Sequence, residues 1–186
     1  MMEAYMDWNS KINVISRKDT AYFIERHLMH ALSISKLIAF KPGTKVLDVG
    51  TGGGIPGLPL AVFFPEVQFT LIDSIGKKIT VVKDIAARCD LKNVTAINDR
   101  MENYSGKADF IISRAVAPME TLVWWTKNGL SNTSRNDWKN GYFFLKGGDL
   151  KEEIKASGLQ CKTVELSKFF PGAFFETKKI VYGRKS

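Results

Sequence analysis

Cysteine and histidine are scarce. The 186-residue chain holds two of each, Cys89, Cys161, His27 and His30. No C-x-x-C pair or His/Cys group has ligand spacing, so a disulfide scaffold and a structural zinc are excluded and no metal site is expected. Long apolar runs are lacking too. The most apolar stretch, Leu58 to Phe64, contains Pro59 and falls far short of the roughly 20 residues of a transmembrane helix. The opening residues, MMEAYMDWNSKINV, carry acidic side chains and no apolar core. They do not read as a signal peptide, and the expected compartment is the cytoplasm. There is no internal repeat, which excludes a solenoid.

What is present supports a sizeable core: hydrophobic residues make up 45% of the chain, with 12 Phe, 4 Trp and 5 Tyr. One domain over 1–186 is expected, with residues 1–40 as a helical segment and 41–186 as the core. Lys and Arg total 27 against 19 Asp and Glu, a net charge of +8. That surplus favours a polyanionic partner such as nucleic acid.

Apolar periodicity gives an alternation of strands and helices. Ile24, Leu28, Ala31, Ser35 and Ile38 predict an amphipathic helix over 20–39, with Asp19 as its N-cap. Strands are expected at Lys45 to Val49, Gln68 to Ile72, Val94 to Ile97, Asp109 to Ile112 and Tyr142 to Leu145. Helices are expected over 55–64, from Ile75 to Cys89, after Pro118 and over Leu150 to Ala156. Cys161 to Leu166 and Lys179 to Tyr182 suit a terminal antiparallel pair, and Gly129 to Asn140 a surface loop. This order specifies a doubly wound α/β fold with a mostly parallel sheet.

The most informative segment is Leu47 to Gly57, LDVGTGGGIPG. Gly50, Gly52 and Gly54 fall where a strand turns into a helix, so backbone can approach a ligand closely. Asp73, about 20 residues on, ends the next strand, where a carboxylate accepts bonds from ribose hydroxyls; a helix cap is the alternative role. Gly52-x-Gly54-x-x-Gly57 also fits the dinucleotide pattern, so an NAD-dependent oxidoreductase is a competing reading. Asp48 favours another cofactor. A carboxylate there would repel a pyrophosphate but suits the cationic methionine portion of S-adenosylmethionine.

VGTGGGIPG at Val49 to Gly57, LIDSIGKK at Leu71 to Lys78, Arg100 to Glu102, SRAVA at Ser113 to Ala117 and LKG at Leu145 to Gly147 occur in order. Together with WNSKINVISRKD at Trp8 to Asp19, they resemble the bacterial small-subunit ribosomal RNA methyltransferase G family, also called glucose-inhibited division protein B. The resemblance spans essentially the whole chain. It implies a Rossmann-like class I S-adenosylmethionine-dependent methyltransferase fold and methylation of guanine N7 in a 16S ribosomal RNA hairpin near the decoding site. The RNA would be free or within an assembling small subunit, with no obligate protein partner. By the same resemblance Gly50 and Ile55 line the cofactor pocket, Asp73 and Ser74 lie at the ribose, Met101 and Glu102 flank the adenine, and Arg114 contacts the cofactor. The chain departs from the family pattern at His30-Ala31, where Asp-Ser is usual, at Lys78, where Arg is usual, and in a shorter N-terminal helical region.

Guanine N7 already carries an in-plane lone pair, so its methylation needs no general base and no catalytic residue is assigned. Ser113-Arg114-Ala115 is not the Asn/Asp-Pro-Pro-aromatic motif of amino-group methylation. Attack on pyrimidine C6 needs a thiolate near the cofactor, yet Cys89 falls on a helix stripe and Cys161 in a distal strand. Arg26, His27, Lys77, Lys78 and Lys146 are the candidate RNA contacts, with solvated or locally paired positions as the alternative. A cofactor-binding, RNA-associated module without turnover is a third reading.

Overall fold

The computed structural model describes residues 1–185, without the side chains of Arg17 and Lys18 in the Trp8–Asp19 lead-in. Seven strands among the described residues form one sheet: β1 (Lys45–Val49), β2 (Gln68–Asp73), β3 (Val94–Asn98), β4 (Phe110–Arg114), β5 (Gly141–Gly147), β6 (Gln160–Glu165) and β7 (Lys178–Arg184). Their order is β3-β2-β1-β4-β5-β7-β6. The first five are parallel, while β7 lies antiparallel between β5 and β6. The expected pair of terminal strands forms, with β7, last in sequence, inside the sheet.

Helices between parallel strands cover both faces, which is why β1, β4 and β5 are buried almost throughout. The connections are α3 (Gly57–Phe63), α4 (Gly76–Arg88), α5 (Met119–Trp125) and α6 (Lys151–Ser157), close to their predicted spans. Two helices escaped the periodicity: α1 (Met2–Lys11), which buries only Ala4 and Tyr5, and the four-residue α7 (Ala173–Glu176). The 129–140 loop packs back onto the sheet, with Arg135 Nε 3.2 Å from Asp109 Oδ2 and Asn136 bonded to Thr44.

The segment expected as one amphipathic helix over 20–39 differs. It runs as a 3-10 turn (Arg17–Tyr22), widened π turns (Ile24–Met29), the short α2 (His30–Leu32) and another 3-10 turn (Ser33–Lys36). The buried stripe is Phe23, His27, His30, Ala31, Ile34 and Ile38, leaving Ile24 56% exposed. It keeps helical spacing but lies beside the expected face, because two of its members are histidines that an apolar pattern passes over. Asp19 is correspondingly no helix cap: it pairs with Arg26 at 2.6 Å. No helix among the described residues is long and apolar enough to cross a membrane.

Candidate active site

Strand order reverses between β1 and β4, the switch point where doubly wound sheets open a crevice beyond the carboxyl ends of their strands. A cleft of about 440 Å³ lies there. Gly50 is its floor, with φ +64°, and a Cβ added to it would come within 2.5 Å of Val116, whose side chain closes over the turn. Gly52 follows at φ +59°, also left-handed. Its N–H donates to Asp73 Oδ2 at 2.9 Å, while Asp73 Oδ1 accepts from Ile75 N at the start of α4. Asp73 thus braces the glycine turn and caps the helix. An ionised carboxylate has about four lone-pair sites, so acceptor capacity is left on the cleft side.

Ser74, Met101 and Glu102 line the same cleft, and so does Lys78, expected at the RNA. Asp99, Arg100, Val116 and Trp125 complete walls that spacing had not singled out. The signal available for Asp99 and Arg100 was their place just beyond β3, since every carboxyl strand end borders this crevice.

Other residues sit elsewhere than the sequence suggested. Asp48 lies under the cleft, fully buried, with Oδ2 accepting from Thr51 Oγ at 2.6 Å and Gly57 N at 2.9 Å. Burial pushes its pKa up to about 6, against those two bonds, and its Oδ1 has no partner among the described residues. Ile55, expected in the pocket wall, is buried in the core cluster with Leu58. Gly54 donates to Thr51 O and shapes the turn from behind.

Arg114 lines a different cavity. Its guanidinium turns away from the cofactor cleft into a second basin of about 450 Å³, donating from Nη1 to Arg26 O at 3.2 Å and lying 3.1 Å through Nη2 from His27 Nδ1. Arg26, His30, Phe174 and Lys178 also line this basin. The two cavities meet at Ala115, which lines both and holds a left-handed φ of +55°. Such a conformation is costly for alanine and persists only where neighbours enforce it. Lys146 is one of them: its Nζ donates to Ala117 O at 3.0 Å and to Glu153 Oε1 at 2.6 Å, and that carboxylate accepts from Met119 N. Lys146, which also lines the basin, therefore anchors the loop after β4. Lys77 is exposed, whereas Arg26 pairs with Asp19 and stacks 4.0 Å over Tyr22. Cys89 and Cys161 are free thiols at the end of α4 and in β6.

The model of the family described as rRNA small subunit methyltransferase G matches residues 1–180. The chain belongs to this family. A ribosomal RNA small subunit methyltransferase G from Christiangramia forsetii is 52% identical over 180 residues, covering 97% of this chain and 85% of the relative. Among solved structures, a point mutant of MtNAS in complex with S-adenosylmethionine superposes with TM-score 0.69 at 12% identity, over 100% of this chain and 73% of that one. Aeropyrum pernix fibrillarin with natively bound S-adenosyl-L-methionine gives 0.61 at 14%, over 84% and 74%. The fold is the Rossmann-like class I methyltransferase fold, and membership of the methyltransferase G family sets aside the dinucleotide oxidoreductase.

Proposed function

We propose that the protein transfers a methyl group from S-adenosylmethionine to N7 of a guanine in 16S ribosomal RNA. The observation that carries this reading is the junction of two cavities at Ala115, one walled by the glycine turn and Asp73, the other by arginines, histidines and an aromatic ring. Bound in the first, S-adenosylmethionine supplies a methyl group on a cationic sulfur. The residues present fit it. Asp73 has acceptor capacity for ribose hydroxyls, Met101 offers apolar surface and Glu102 a carboxylate at the adenine end, and Gly50 lets backbone approach closely. Asp48 adds an unpartnered buried acceptor beneath the turn, suited to a cationic ligand and not to a pyrophosphate. Arg114 is left out of this set.

In the proposed reaction the N7 lone pair forms the new N–C bond, the methyl–sulfur bond breaks with its electron pair going to sulfur, and positive charge passes to the purine. No proton moves. The chain's task is then positioning the base and excluding water, with Ala115 and the clamped loop after β4 at the boundary. The test is nucleoside analysis of 16S ribosomal RNA incubated with the protein and methyl-labelled S-adenosylmethionine. Label in 7-methylguanosine is expected. Label in another nucleoside would refute the N7 assignment, and none at all would leave a binding module without turnover.

A further inference from the structure

The second basin contains polar atoms that none of the described side chains satisfies. His27 and His30 are 8% and 5% exposed, both line it, and the Nε2 of each is buried without a partner among the described residues. Burial, followed by the nearby Arg114 charge, pushes their pKa values down to about 4 and about 3, so both rings are neutral at neutral pH. For His27 the tautomer follows from its neighbour. Arg114 Nη2 lies 3.1 Å from His27 Nδ1, and a guanidinium has only donors, so Nδ1 must accept. The ring's single proton is therefore on Nε2. That unpartnered N–H is a donor whose burial costs free energy until something accepts from it. Phe174, 5.6 Å edge-on from His30, gives the basin an aromatic wall.

We propose that this basin receives the target base and that His27, held in its Nε2–H tautomer by Arg114, donates to guanine O6. The proposal rests on the guanine-N7 reading above and adds how the base is told from adenine. Guanine presents O6 and N7 as acceptors on one edge, whereas adenine has an amino group in place of O6. An N–H at that position pairs with guanine and faces another donor on adenine. Because O6 and N7 share an edge, the group that holds O6 also fixes N7 relative to the cleft across Ala115. Arg114 acts through His27 and is a positioning residue.

With only two histidines in the chain, nitrogen-15 NMR of histidine-labelled protein resolves each ring. At pH 7 His27 should show a protonated Nε2 and a bare Nδ1, and Arg114→Leu should release it into a mixture of tautomers. Guanosine 5′-monophosphate, added with S-adenosylhomocysteine present, should shift the Nε2–H signal. The 5′-monophosphate of 2-aminopurine riboside, which lacks O6, should not. A proton on Nδ1, or the same response to both nucleotides, would overturn the proposal. In methyl transfer to ribosomal RNA, His27→Phe should raise the RNA KM at least tenfold with unchanged cofactor affinity, and His27→Gln, which keeps a donor, should recover most of that loss. Equal KM values for His27→Phe and wild type would also overturn it. If His27 distinguishes the two nucleotides but no 7-methylguanosine forms in RNA, the base pocket stands and the reaction assigned to it falls.

Discussion

The two cavities that meet at Ala115 are similar in size and opposite in construction. The cofactor cleft is walled by backbone and carboxylates from neighbouring strand ends, with Asp73 and Gly52 joined directly. The basin is cationic and aromatic, assembled from residues near 19–30, 114–115, 145–147 and 174–178. The first is a local device, repeated wherever a strand, a tight turn and a helix meet in this fold class. The second depends on four distant segments converging, so a side chain can reach it only if the whole sheet is in place.

The sharpest way to break this contrast is at Asp73. Asp73→Ala removes the brace on Gly52 and the acceptor for ribose together. Two charge-assisted bonds at about 1.5 kcal/mol or more each predict at least a hundredfold loss of S-adenosylmethionine affinity by calorimetry. The His27 NMR signals of the basin should stay unmoved. If they shift as well, the cavities are not independent.

Next in size is Lys146. Its amine and Glu153 are 15% and 25% exposed, so Lys146→Met leaves a mostly buried carboxylate without its cation. Loss of about 2 to 3 kcal/mol is expected in urea unfolding, discounted from the range for fully buried pairs. Lys146→Met/Glu153→Gln should recover much of it. Weak RNA binding with unchanged stability would instead return Lys146 to the RNA.

The histidines make the basin the acid-sensitive part. His27 and His30 have folded pKa values below the ordinary 6.5, so their stabilisation is complete above about 6.5 and is lost as pH falls towards about 4. Asp48, raised to about 6 by burial, acts in reverse: its contribution is present below about 4 and lost as pH rises through 6. Two protons against one leave a slope of up to about 1.4 kcal/mol per pH unit between pH 4 and 6, stability rising with pH. His30→Phe should flatten that slope in denaturation curves taken across this range. A slope unchanged by the substitution would mean that His30 is protonated in the fold.

The smallest effect belongs to Lys77, exposed at the start of α4. If it meets one phosphate, Lys77→Gln should make the plot of log RNA affinity against log salt shallower by about 0.7 to 0.9, with cofactor affinity intact. An identical slope removes it from the interface.

The same contrast explains what the sequence disclosed. Gly50 and Asp73 were legible because both lie where backbone geometry alone fixes them, at the ends of adjacent buried strands. Arg114 was legible at the end of β4, but position along a strand does not say which way a long side chain bends, and in the structure it lines the second basin. Ile55 packs into the core, a direction that its place in the glycine turn does not disclose. Phe174 gave no signal, since a four-residue helix has no period to detect. The buried stripe begins at Phe23 and not Ile24 and includes His27 and His30, which a search for apolar residues alone does not select.

The position of β7 bears on how the molecule is made. It leaves the ribosome last among the strands, yet β6 joins the sheet only through it. A nascent chain can pair β1 to β5 and so frame the cofactor cleft, while β6 waits unpaired and β5 offers an open edge. The basin, which needs Phe174 from α7 and Lys178 from the start of β7, closes only when synthesis is nearly complete. Cofactor binding is therefore expected to precede competence for the base during biogenesis, and pulse-labelled chains stalled before Lys178 should retain the first property without the second.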